Sequence, residues 1–185
     1  MPRSRVLLCI EATLVVVGVA LAVWSAATLM EARRTRSLPI EPVRVTMARA
    51  APERGTVIGR IDIPSLQIST PVLEGTDDET LRRGSGHIED TPFPGEPGNI
   101  GIAGHRDTIF RPLRRLRIGD VLNLATSDHV YRYRVAKTMI VGPGDVYVLD
   151  PTTDPTLTLV TCYPFDFIGH APKRYIVRAE LIRAP

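Results

Sequence analysis

Short runs that alternate apolar and polar residues, each cut off by proline or glycine, restrict this chain's fold more than any other feature. "TVIGRIDIP" (56–64) and "QISTPVLEG" (67–75) change face at nearly every residue and are punctuated by Pro64 and Gly75. Such a period-two pattern belongs to strands with one buried face. "NIGIAGHR" (99–106) reads as a strand of small residues, and "VLNLAT" (121–126) and "HVYRYRVAKTMIVG" (129–142) form an alternating pair joined through Ser127-Asp128. "KRYIVRAEL" (173–181) closes the series. Helical signals are few. "TDDETLRRG" (76–84) predicts a short helix with a Thr76–Glu79 capping box and Gly84 at its end. "FRPLRRLRIGD" (110–120) predicts a helical turn with Pro112 at its start, Leu113 and Leu116 on one face and Gly119 as its stop. About eight strands with few helices predict an all-β barrel or sandwich.

Ahead of this pattern lie two segments of different character. Residues 6–30 are apolar apart from Glu11, and a run of that length predicts one membrane-spanning helix rather than the shorter core of a cleaved signal. Trp24 reads as an interfacial anchor within it. Residues 31–55 are charged, carry three prolines and lack an apolar period, which predicts a tether. Arg33, Arg34 and Arg36 stand where they would meet lipid headgroups. The organisation expected is therefore a short cytoplasmic N-terminus (1–5), an anchor (6–30), a linker (31–55) and one domain (56–185). Basic residues on both sides of the apolar run divide the vote on its orientation.

The formal charge of the chain is +3, and Lys137 and Lys173 are its only lysines. No basic stripe with interleaved aromatics appears, which argues against nucleic acid as a partner. There is no CxxC, no HExxH and no histidine pair at helical spacing, so no metal site is expected. Asp77, Asp78 and Glu79 resemble a calcium cluster, but acids at a helix N-terminus explain them more simply.

What remains is a thiol. Of the two cysteines, Cys9 lies in the apolar run, so a disulfide with Cys162 is not expected. The strand Leu157–Thr161 must stop near Cys162, because Pro164 has no amide hydrogen to donate to a sheet. A cysteine at a strand tip becomes a nucleophile when a histidine and a donor-rich surround stand beside it. His87, His105, His129 and His170 are the candidates. His105 is the best on local grounds, since it too ends a strand. The pattern by itself leaves an inert buried cysteine the commoner reading.

"TLVTC" (158–162), "GIAGHRDTIF" (101–110) and "APKRYIVRAEL" (171–181), in that combination, resemble the signature segments of sortases, the membrane-anchored cysteine transpeptidases. The resemblance covers residues 56–185 and is nearest to class D, with class E as a second possibility. It implies an eight-stranded β-barrel with short helices. It also implies Cys162 as nucleophile, His105 as acid and base, and Arg174 as the group that holds substrate and oxyanion. Thr161, Tyr163 and His170 are implied as substrate contacts. The substrates implied are surface proteins with a C-terminal LPxTG-like sorting signal, and the acceptor is an amine of a cell-wall precursor or a pilin. No cofactor is implied, although some sortases bind calcium. An extracytoplasmic substrate would place the domain outside the cell membrane and the N-terminus inside. Two other functions fit the same residues: an inactive sortase-like module that binds peptide, and a thiol peptidase that releases it to water.

Overall fold

The computed structural model describes residues 14–27, 30 and 52–182. Eight strands close into one barrel in the order β1 (Val57–Ile63), β2 (Ile68–Glu74), β3 (Ser85–His87), β4 (Asn99–Ala103), β7 (Thr156–Tyr163), β8 (Lys173–Leu181), β6 (Val130–Val141), β5 (Val121–Ala125), with β5 returning to β1. Closure leaves no free sheet edge, which suits strands this short. The all-β, eight-stranded expectation holds. β3 is the strand that no pattern announced, since its three residues are too few to show a period.

Most neighbours are antiparallel, but β2–β3 and β4–β7 run parallel. The β4–β7 pair matters most, because it sends the C-terminal ends of two strands distant in sequence to the same rim of the barrel. Inside, alternate residues of every long strand meet. Ile61, Ile102, Leu124, Leu157, Leu159 and Val177 are fully buried in one core. Fully burying a side chain of this size is worth about 1.5–3 kcal/mol. A second, smaller apolar cluster forms from Val141, Val148 and Ile176, with Met139, Leu149 and Val160 packed against it. Val148 and Leu149 belong to the 3-10 turn Val146–Leu149 in the loop before β7.

The short helix Asp78–Arg83 forms as expected, but its cap is one residue later than the capping box predicted. Asp77 accepts from the backbone amides of Glu79 and Thr80 and from the Thr80 hydroxyl, while the Thr76 hydroxyl donates to Glu89. A carboxylate satisfies two amide donors at once, which a threonine hydroxyl does less well. The second helical signal is a 3-10 turn, Arg111–Arg115, with Leu113 buried.

The expected membrane span over 6–30 falls only partly among the described residues. Residues 14–27 are helical, with exposed Leu14, Val15, Val16, Val19 and Trp24. The rest of the span, apart from residue 30, lies outside the described residues. Among the described residues no helix is long and apolar enough to cross a membrane. The tether expected over 31–55 also lies outside them, except for residues 52–55.

Candidate active site

Alternation along three strands decides which side chains leave the core. On β7, Leu157 and Leu159 point inward, so Thr158, Val160 and Cys162 face out. On β8, Val177 and Ala179 point inward, so Arg174, Ile176 and Arg178 face out. On β4, Ile100 and Ile102 point inward, so Asn99, Gly101 and Ala103 face out, and His105 follows two residues past the strand end.

Register then brings three of these residues to one end. Cys162 lies directly opposite Arg174 in the antiparallel β7–β8 ladder. Ala103 lies opposite Val160 in the parallel β4–β7 ladder, so His105 and Cys162 each stand two residues beyond that pair. The chain is held in step past the ladder. The Gly104 amide donates to Val160 O at 3.1 Å, and the Thr161 hydroxyl donates to Gly104 O at 2.7 Å. His105 and Cys162 are both half-buried, and Cys162 is a free thiol.

Two glycines allow close approach here, Gly104 on the core side and Gly101 on the outer side. A Cβ on Gly104 would sit 2.6 Å from the Phe110 ring, which fills the space beneath the His105 turn. A Cβ on Gly101 would press on Leu149 and Ile88, so the 3-10 turn could not settle over β4. That turn is tied down by Asn99, whose amide donates to Val148 O at 3.0 Å and Asp150 O at 3.1 Å. The Asn99 side-chain oxygen in turn accepts from the buried Thr158 hydroxyl at 2.6 Å. The outer surface of β4, β7 and β8 is thus covered at one end and holds Cys162 and Arg174 at the other, where the chain beyond β4 carries His105.

The remaining expected site residues divide. Thr161 is buried, with its side chain on the opposite side of β7 from Cys162 and its hydroxyl on Gly104 O. One residue of offset in a strand reverses the face. Tyr163 joins Phe165 and Tyr175 in an aromatic cluster, with ring centroids 5.2–6.4 Å apart. The Tyr163–Pro164 peptide is cis. His170 is exposed in the β7–β8 loop. His87 is far from a surface role: it is buried, with Nδ1 2.8 Å from Glu74 and its ring stacked on Phe93.

Among the described residues no group of three or more histidine, cysteine, aspartate or glutamate side chains could hold a metal ion. Asp77, the centre of the calcium-like cluster, is engaged as the helix cap. Its hydrogen bond from the Thr80 hydroxyl holds its carboxyl below the ordinary aspartate value. Arg106, which sequence reasoning passed over, is nine-tenths buried beside His105.

A sortase-domain family model matches residues 61–182. Sortase D of Bacillus subtilis is 42% identical over 132 residues, covering 71% of this chain and 67% of that protein. Among solved structures, a Clostridium perfringens Sortase D5 transpeptidase superposes with a TM-score of 0.65 at 34% identity, covering 71% of this chain and 82% of the other. Sortase A of Listeria monocytogenes superposes with a TM-score of 0.63 at 30% identity, covering 69% of this chain and 88% of the other.

Proposed function

The chain belongs to the sortase family and is a cysteine transpeptidase of that family; on that premise we propose that it cleaves an LPxTG-like sorting signal through a Cys162 thioester and passes the acyl group to an amine. The observation that carries the assignment of roles is the register: Cys162 opposite Arg174 on β8, and His105 in step with Cys162 past the β4–β7 pair.

Cys162 Sγ attacks the carbonyl carbon of the scissile peptide bond, and negative charge develops on the carbonyl oxygen. Arg174 supplies donors there, from a planar guanidinium fork. When the carbon–nitrogen bond breaks, His105 gives its proton to the departing amine. The acceptor amine then attacks the thioester, loses its proton to His105 and releases Cys162 as thiolate. Thr161 serves this chemistry by holding the Cys162 strand against the His105 turn. Tyr163, on the same side of β7 as Thr161, supports the groove through its aromatic cluster with Phe165 and Tyr175, and His170 borders the groove from the loop.

Surface proteins bearing the sorting signal are the donors, and a cell-wall precursor or a pilin supplies the amine. Residues 6–30 anchor the chain with the N-terminus inside, residues 31–55 tether it, and residues 56–185 work outside the membrane. The exposed apolar side chains of helix 14–27 support the anchor and its contact with lipid.

Mass measurement on the full chain tests this reading. An LPxTG-type peptide should add the mass of its N-terminal half to Cys162, and hydroxylamine should remove it. A glycine-type amine should clear the adduct faster than water. Binding with no adduct across a panel of such peptides would instead mark an inactive module. An adduct that only water clears would mark a hydrolase.

A further inference from the structure

The β7–β8 loop, residues 164–172, joins the strand that carries Cys162 to the strand that carries Arg174. Phe165 packs its start against the core, but little apolar burial holds the residues beyond it. Residues 166–170 are exposed, and Ile168 is 95% exposed. Its one ion pair among the described residues, Asp166 with Arg114 at 3.4 Å, lies on the surface, where such pairs contribute little.

Two guanidinium groups meet the loop from below, and they share its backbone in order. Arg106 Nη2 donates to Phe167 O at 2.6 Å and to Gly169 O at 2.8 Å. Arg174 Nη1 donates to Ala171 O at 3.2 Å and to Lys173 O at 3.0 Å. Four alternate carbonyls, 167, 169, 171 and 173, therefore end on two arginines. Gly169 has a positive φ of 89°, a conformation open to glycine, which bends the loop between them. The Arg106 Cζ also lies 5.9 Å from the centre of the Phe167 ring.

Arg106 is a poor device for stability alone. It is nine-tenths buried, its Nη1 has no hydrogen-bond partner, and among the described residues it has no carboxylate partner. Burying a charge on these terms is costly. Its place next to His105 gives that cost a purpose. The backbone of the His105 turn is fixed to β7 through Gly104 and closed by the Phe110 amide donating to His105 O at 2.9 Å.

We propose that Arg106 is a positioning residue: by clamping the β7–β8 loop to the His105 turn, it sets where the Arg174 guanidinium stands relative to Cys162. The proposal rests on the reading of Cys162 and Arg174 as catalytic. The clamp needs a planar fork that spans two carbonyls and lies against a ring. A lysine ammonium keeps the charge but not that geometry.

The test uses the full chain, an LPxTG-type peptide with a glycine-type amine, and Arg106→Lys, Arg174→Lys and the double variant. Arg106→Lys should lower kcat about tenfold to a hundredfold, as expected for a misplaced catalytic group, with KM near the parent value. Its melting midpoint and the rate of Cys162 alkylation by iodoacetamide should stay close to the parent. Backbone amides of residues 166–171 should exchange faster than in the parent. In the Arg174→Lys background, adding Arg106→Lys should cost about twofold or less, because the group it positions is already changed. Equal losses in both backgrounds would overturn the proposal, since Arg106 would then act independently of Arg174. Unchanged loop exchange would overturn it too, as would a loss of activity that only tracks a lowered melting midpoint. If the parent turns over no peptide of the panel, the substrate reading fails by itself. The clamp is then decided by loop exchange in Arg106→Lys and in Arg106→Ala.

Discussion

The inner and outer faces of β4, β7 and β8 are built from alternate residues of the same three strands, yet they obey different rules. Inward stand Ile100, Ile102, Leu157, Leu159, Val177 and Ala179, all buried and all aliphatic. Outward stand Asn99, Gly101, Thr158, Cys162, Arg174 and Arg178; Asn99, Arg174 and Arg178 donate hydrogen bonds to loop backbone, and Thr158 donates to Asn99. The inner face supplies the free energy that keeps the strands in register. The outer face uses that register to hold reactive groups at fixed spacing. Between the two faces lies one residue of offset, so the chemistry inherits its precision from the core without occupying it.

The division predicts that activity and stability separate by face, and His105→Ala is the largest test of it. General acid–base catalysis contributes about 10²–10⁴-fold, so turnover of an LPxTG-type peptide should fall by that order. The melting midpoint should stay near the parent's, because His105 is only half-buried and lies beyond the last ladder pair. A melting midpoint that fell with the activity would show that the turn is part of the core and would break the comparison.

Leu159→Ala is the counterpart from the inner face. Leu159 is fully buried, and truncating such a leucine costs about 2–5 kcal/mol through lost burial and the cavity left behind. Denaturant unfolding should report that loss. Turnover well below the unfolding range should change little, because Cys162 and Arg174 keep their pairing across β7 and β8. If turnover fell by orders of magnitude in a folded variant, the outer face would depend on core packing more finely than register alone implies.

Much of this division could be read from the residues before any coordinates. β1, β2, β5 and β6 follow from alternating runs, β7 follows from an apolar, β-branched run, and Pro164 places Cys162 at a strand end. The parallel β4–β7 pairing was not legible, because it joins segments with no local signal of one another. It is the feature that puts His105 in step with Cys162. The resemblance implied Thr161 as a substrate contact; its burial on the side of β7 opposite Cys162 was not legible without the strand's face. Arg106 escaped notice because nothing distinguishes a buried arginine from an exposed one in a turn rich in charge. The helix cap moved from Thr76 to Asp77, a one-residue difference that depends on which side chain reaches two amides.

Tyr133 sharpens the comparison by pH. It sits in the main core, 1% exposed, and burial pushes its phenol up from 10.0 to about 12. A raised folded-state value means that the stabilising term is fully present below about pH 10, where the unfolded phenol begins to ionise. It is lost as pH rises from there through about 12, by up to about 3 kcal/mol. Tyr133→Phe should therefore flatten the alkaline limb of stability between pH 10 and 12. An alkaline limb of unchanged slope would show that other groups carry it.

The smallest expected effect lies at Asp77, which belongs to neither face and serves as a control on both. Its carboxyl is held below the ordinary value of 3.8, first by the hydrogen bond from the Thr80 hydroxyl and then by the Thr80 amide. A lowered folded-state value gives stability that is present above the unfolded value and lost as pH falls through the folded one. The window is therefore below about pH 4. Asp77 is exposed, so screening by water and salt keeps the contribution small. Asp77→Asn retains a good helix cap while removing the titration. Stability near neutral pH should barely move, the acid limb should become slightly shallower, and the pH profile of turnover should match the parent's. A shifted turnover profile would tie the helix Asp78–Arg83 to the groove. The separation of chemistry from scaffold would then fail at a point remote in sequence from Cys162, His105 and Arg174.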